Sequence, residues 1–197
     1  MKIRTWAALA AGIALTMAAG VATAGEVVLG VLAHDTGEAQ REQGTVDIQL
    51  AYRTDRIDAL RWIFRPSFHV MGQVNTDVNT HFIAAGFNWP IQLGEHFYLR
   101  PGIGLAYTTG EAGLPPVNAP GLTPTEIQRR LNLYLTRKDF GSKVLFEPEL
   151  SLGYNLSERW AVEANFTHYS NGQIFHHGTN QGLDSIGVRV VYRLGQR

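Results

Sequence analysis

The chain has 197 residues, 17 Lys+Arg against 17 Asp+Glu, and no cysteine. So even a balance leaves no electrostatic footprint for nucleic acid or for a polybasic membrane-surface site. The absence of thiols excludes disulfides, so an exported chain of this kind must be held by hydrogen-bonded ladders, by packing or by a membrane.

Lys2 and Arg4 precede an apolar run from Trp6 through Ala19, and Ala22-Thr23-Ala24 stands before Gly25. This order of basic, apolar and small residues reads as a secretory signal peptide over residues 1–24. A spanning helix is the rival reading, but the run is short and broken by Gly12 and Gly20,. Residues 25–197 are then expected to form one domain. Taking Lys2 and Arg4 from the 17 basic residues leaves 15 against 17 acidic ones.

From residue 25 onward no segment is apolar for long enough to be a membrane helix, yet apolar and polar residues alternate repeatedly. After a first strand around Glu26 to Ala33, Val46, Ile48, Leu50 and Tyr52 alternate with Asp47, Gln49 and Arg53. A third strand is expected from Leu60 to Val70, with Arg61, Arg65, Ser67 and His69 on its polar side. Ile83 to Trp89, then Phe97 to Tyr107, continue the pattern, with Gly102 and Gly104 on the inward side, where a narrow interior suits them. Val144 to Tyr154 opposes Lys143, Glu147, Glu149 and Ser151, and two C-terminal strands bring the total to eight. The links alternate as well, short near 54–59, 90–95 and 155–158, longer over 34–44, 108–141 and 171–183. Together these predict an all-β fold, an eight-stranded antiparallel transmembrane β-barrel with one long extracellular loop at 108–141.

A soluble lipocalin-like barrel would point its apolar residues inward. The opposite faces here carry Asp47, Arg53, Arg61, Arg65, Arg100, Glu147, Glu149, Glu163, Arg189 and Arg193, charges of both signs that can pair inside a small barrel. Such a barrel has no open channel, which argues against a porin. Pro66, Pro101 and Pro148 interrupt the expected strands and imply bulges or register changes. Thr125 to Leu135 reads as a short loop helix whose Ile127, Leu131 and Tyr134 share a stripe. Trp62, Trp89, Tyr98, Trp160 and Tyr192 read as interface anchors, and His69 and His81 as ordinary polar residues near barrel ends. His176-His177 lack neighbours at metal-ligand spacing, so no metal is expected there.

The chemistry concentrates near the C-terminus. By parity His168 and Ser170 share a face with Trp160, Val162, Ala164 and Phe166, and Asp184 shares one with Ile186, Val188 and Val190. A serine nucleophile, a histidine base and a carboxylate to orient the base thus fall on a surface that is otherwise apolar. Polar groups facing lipid cost free energy and are functional by default. Asn171 and the neighbouring backbone N–H groups could stabilise an oxyanion.

His168-Tyr169-Ser170-Asn171-Gly172, followed by Asn180-x-Gly182-Leu183-Asp184-x-Ile186-Gly187-Val188-Arg189-Val190-x-Tyr192-Arg193, resembles the C-terminal signature of the lipid A 3-O-deacylase (PagL-type) family. Leu145-Phe146-Glu147-Pro148-Glu149-Leu150 with Gly153-Tyr154 is also similar to it. The resemblance covers about the last third of the chain. It implies an esterase of the bacterial outer membrane that hydrolyses the 3-O acyl chain of lipid A, with His168 as base, Ser170 as nucleophile, Asn171 and Gly172 as the oxyanion region, and no cofactor. The family more typically uses glutamate as the acid; Asp184 is the only acidic residue between Ser170 and the C-terminus. Lipid A or lipopolysaccharide would be the substrate, outer-membrane lipids the surroundings, and a homodimer is left open. The alternatives are a non-enzymatic structural or adhesive barrel that binds through its loops, and an acyl transferase.

Overall fold

The computed structural model describes residues 25–37 and 40–195; the expected signal peptide lies outside them. Nine strands form one antiparallel sheet: β1 Glu26–Ala33, β2 Val46–Arg56, β3 Ser67–Asn75, β4 Phe82–Asn88, β5 Ile91–Leu93, β6 Phe97–Thr108, β7 Val144–Asn155, β8 Trp160–Tyr169 and β9 Leu183–Arg193. β1 pairs with both β2 and β9, and β4 pairs with β6, so the sheet closes on itself. β5 is the continuation of β4: Asn88↔Gly102 and Ile91↔Leu99 belong to one register on β6, interrupted by Trp89-Pro90. The barrel therefore has eight staves, as expected. No helix among the described residues is long and apolar enough to cross a membrane.

Alternation fixes which way each stave faces. Val31, Leu105, Leu150 and Val188 are 45–59 % exposed on the outside, whereas Asp47, Gln49, Arg53, Glu147, Glu163 and Arg189 are at most 2 % exposed inside. This is the reverse of a lipocalin, and it is the arrangement of an outer-membrane barrel, with an apolar belt outside and a filled polar interior. Inside, Arg53 forks onto Glu163 at 2.8 and 3.0 Å, Arg100 reaches Glu26 at 2.8 Å, and Arg189 meets Glu149 at 2.7 Å. The two inward glycines of β6 make the room: a Cβ at Gly104 would lie 2.5 Å from Glu147 Oε2, and one at Gly102 would lie 2.7 Å from Glu149 Cγ. A charge placed on the outer belt has no such partner. Val188→Arg, near the middle of β9, should cost about 2–4 kcal/mol of stability in a bilayer; an unchanged urea midpoint in lipid vesicles would contradict the outward assignment.

Five expectations need correction. The third strand begins at Ser67, because Asp58–Ile63 forms a 3-10 turn. Phe64 and Arg65 both take positive φ, at 66° and 56°, and the Ile57 N–H donates to Pro66 C=O, which closes the turn. Arg61 and Arg65 are consequently exposed turn residues and contribute nothing to the interior. Pro66 precedes its strand, and although Pro101 and Pro148 lie within β6 and β7, the register of those strands with their neighbours runs unchanged through both, without the expected bulges. Tyr98 points inward, 3 % exposed, and donates its hydroxyl to Glu163 at 2.9 Å. His69 is also interior, 2 % exposed and 3.1 Å from Glu147. Trp160 and Tyr192, by contrast, touch on the outer surface at 4.7 Å between ring centroids.

One long loop between β6 and β7 carries helix α1, Pro124–Thr136. Thr123 caps it by accepting from the Glu126 N–H at 3.2 Å, and Pro124 occupies the first position, where its missing N–H costs nothing,. Ile127 and Leu131 remain more than a third exposed.

Candidate active site

The outer ends of β7, β8 and β9 build the site. Phe146 and Ser170 exchange two backbone hydrogen bonds, at 2.7 and 3.2 Å, and so form a hydrogen-bonded pair. Two residues along in the same register, Pro148 faces His168, so the amide groups of His168 point toward β7. Toward β9, His168 is therefore in a non-hydrogen-bonded pair with its opposite number, Asp184. Side chains approach most closely in pairs of that kind. The ladder geometry alone thus brings imidazole and carboxylate together, on the lipid-facing side.

His168 Nδ1 lies 2.5 Å from Asp184 Oδ1. An ionised carboxylate only accepts, so the ring nitrogen donates, and in a neutral ring Nε2 keeps its lone pair. The two side chains are 36 % and 24 % exposed, open enough for a substrate to reach and closed enough to limit water. Ser170 sits on the same outward face, half-buried. Its Oγ makes no hydrogen bond to His168 among the described residues; contacts of this type commonly tighten only with substrate bound. Gly182 borders the open edge of the imidazole, where a Cβ would lie 2.6 Å from Cε1 and 3.2 Å from Nε2. Gly37 borders the carboxylate, where a Cβ would lie 2.1 Å from Asp184 Oδ2. Any side chain at either position would push into the pair.

Asn171 is fully buried and its polar groups are all engaged. Its side-chain amide donates to Phe140 C=O at 2.7 Å and Thr179 C=O at 3.0 Å, its Oδ1 accepts from the Gln173 N–H at 2.7 Å, and its own N–H donates to Asn180 Oδ1 at 2.9 Å. It organises the turn that follows Ser170. Gly172, at φ 61°, closes that turn against the Phe146 ring, and its N–H has no acceptor among the described residues. Phe146 stacks on Phe175 at 4.9 Å, and with exposed Ile174 this gives an apolar ledge beside Ser170. From inside, Tyr169 fixes the end of β8 by stacking on Phe82 at 3.8 Å and donating to Gln73 at 3.0 Å.

His176 and His177 are exposed loop residues. Among the described residues, the group whose ligand atoms could meet around a metal is elsewhere, in the barrel interior: His69, Glu147 and Glu149, within 4.8 Å of one another. There His69 Nε2 is turned to Glu147, and the Arg189 guanidinium occupies Glu149 and repels a second cation,.

Above the site the first outer loop is tied down by charge. His34 is held between Asp47 at 2.8 Å and Glu42 at 3.2 Å. Burial disfavours the charged ring, but the hydrogen bonds that it donates to Asp47 and Glu42 outweigh this and push the pKa up to about 9,. Because the folded value exceeds the ordinary 6.5, the contribution to stability is complete below that pH and is lost as pH rises through about 9,. Amide exchange in residues 40–45 should accelerate between pH 6.5 and 9 beyond its intrinsic base catalysis, and Asp47→Asn should abolish the excess.

A protein-family model described as lipid A 3-O-deacylase (PagL) matches residues 46–193. Among solved structures, the chain is similar to the crystal structure of the outer membrane enzyme PagL, with a TM-score of 0.53 and 14 % identity over 85 % of this chain and 98 % of that one. A second similarity is to the Yersinia pestis outer membrane protein Ail in a phospholipid bilayer nanodisc, with a TM-score of 0.46 and 10 % identity over 87 % of this chain and 99 % of that one. No curated protein sequence matches. None of these similarities supports a homodimer. The family model spans most of the chain and takes in His168, Ser170 and Asp184, and the eight-stave barrel with its apolar belt agrees with it: this chain belongs to the lipid A 3-O-deacylase (PagL) family of the bacterial outer membrane.

Proposed function

We propose that this protein is an outer-membrane esterase that removes the ester-linked 3-O acyl chain of lipid A from the outer leaflet by Ser-His-Asp catalysis. The observation that carries the reading is the 2.5 Å His168–Asp184 pair beside Ser170 on the outward face of a barrel of this family. His168 Nε2 takes the Ser170 proton as Oγ attacks the ester carbonyl. Asp184 holds the ring and stabilises the imidazolium. The Gly172 N–H, presented by the turn that Asn171 organises, donates to the oxyanion. Collapse of the tetrahedral intermediate expels the sugar alkoxide, which takes the proton from His168 and leaves an acyl-Ser170. Water, deprotonated by His168, then releases the free fatty acid. The ledge of Phe146, Phe175 and Ile174 receives the acyl chain, and no cofactor enters these steps. Residues 1–24 act as a cleaved signal peptide that delivers the barrel to the membrane.

The test is the fate of the acyl chain. Refolded protein incubated with lipid A and phospholipid should release a free hydroxy fatty acid. Its recovery as an ester of the phospholipid would identify an acyl transferase instead.

A further inference from the structure

We propose that Lys138 is a positioning residue that clamps the His168–Asp184 pair from the long outer loop; this rests on the catalytic reading above. Lys138 is 1 % exposed, and its ammonium sits 2.9 Å from Asp35 Oδ1 and donates to Gly182 C=O at 2.9 Å. Those two contacts lead to the two sides of the pair. Gly182 is the residue whose Cα abuts the His168 ring. Asp35 begins the stretch Asp35-Thr36-Gly37, in which the Thr36 N–H donates to Asp184 C=O at 2.9 Å and Gly37 packs against Asp184 Oδ2. One buried cation therefore holds together the segment against the base and the segment against the acid.

The surroundings keep the clamp in place. Asp35, itself at φ 55°, receives the Arg41 and Glu42 N–H groups on its other oxygen at 2.7 and 2.9 Å. The Lys138 N–H donates to Glu42 Oε1 at 3.1 Å. Next to it Asp139 and Gln181 are joined twice: the Gln181 N–H to Asp139 C=O at 3.0 Å, and the Asp139 N–H to Gln181 Oε1 at 2.9 Å. Lys138 is thus registered on the residues that lead into β9. An ammonium this deeply buried bears a desolvation cost that an apolar side chain filling the same space would avoid. What it supplies in return is geometry: fixed directions toward one carboxylate and one carbonyl, each anchored beside a reacting side chain.

Two variants test this in the full-length refolded protein: Lys138→Met, and Asp35→Asn/Lys138→Met, which removes both buried charges together so that neither is stranded. In variants that migrate as folded barrels, kcat on lipid A should fall on the order of 100-fold, the scale of a misplacement of about 1 Å, with KM within about threefold. The downfield proton resonance of the His168 Nδ1–H bond, assigned by its loss in Asp184→Asn, should shift upfield or vanish. Wild-type kcat in either folded variant overturns the proposal, and so does a kcat loss that leaves this resonance unmoved. Ser170→Ala run alongside separates the two levels: if it keeps full activity, the catalytic reading fails irrespective of Lys138.

Discussion

Ser170→Ala and His168→Ala should each lower kcat for lipid A deacylation by at least about 10⁴-fold, because on the proposed mechanism nucleophile and base act as one unit. The double variant should be no worse than either single one. Asp184→Asn should cost about 10⁴-fold through the wrong imidazole tautomer: an amide can donate to Nδ1, which would place the ring proton on Nε2, where the serine proton has to go. All three substitutions lie at strand ends and change side chains only, so the barrel ladder and folded migration should be unchanged. Activity of Asp184→Asn close to wild type would remove aspartate from the catalytic group and leave the 2.5 Å contact as a structural one.

The second large effect is on stability, deep inside the barrel. Glu163 is 1 % exposed and holds three partners at once: Arg53 through two hydrogen bonds, Arg100 at 3.4 Å, and the Tyr98 hydroxyl. Glu163→Gln takes from buried Arg53 its forked carboxylate partner, leaving it only the longer contact to Glu26 at 3.6 Å, and should cost about 3 kcal/mol, read from the denaturant midpoint of the refolded barrel,. Arg53→Met/Glu163→Leu, which takes out both charges, should be less destabilised than the single variant. Equal losses would mean that the pair contributes only packing.

Parity made the barrel legible because one-residue alternation has a single consequence in a closed sheet: every stave sorts its residues into belt and interior. It also put His168, Ser170 and Asp184 on the belt side without reference to any partner. It misled where alternation arose for another reason. Leu60, Trp62 and Phe64 alternate as a strand would, yet they belong to a turn set by the positive φ of Phe64 and Arg65 and by the Ile57–Pro66 hydrogen bond. Residue type alone makes Tyr98 an interface anchor, whereas its even position on β6 faces it inward to Glu163. The part of the site that parity could not reach lies in the loops. Nothing in the sequence spacing reports that Asn171 spends its amide on Phe140 and Thr179, or that Lys138 joins Asp35 to Gly182, because these contacts link loops 31, 8, 103 and 44 residues apart. The close approaches at Gly37 and Gly182 are equally silent in the sequence, since a glycine required by a neighbour's side chain looks like any other loop glycine.

The central claim is that Ser170 and His168 cleave one ester of lipid A from the outer face of this barrel. Mass spectrometry of lipid A after exposure to the purified, refolded protein tests it directly. The account predicts loss of the mass of one hydroxyacyl chain with the wild type and unchanged lipid A with Ser170→Ala and His168→Ala. Intact lipid A with a correctly folded wild-type barrel, or the same chain loss with Ser170→Ala, would contradict it.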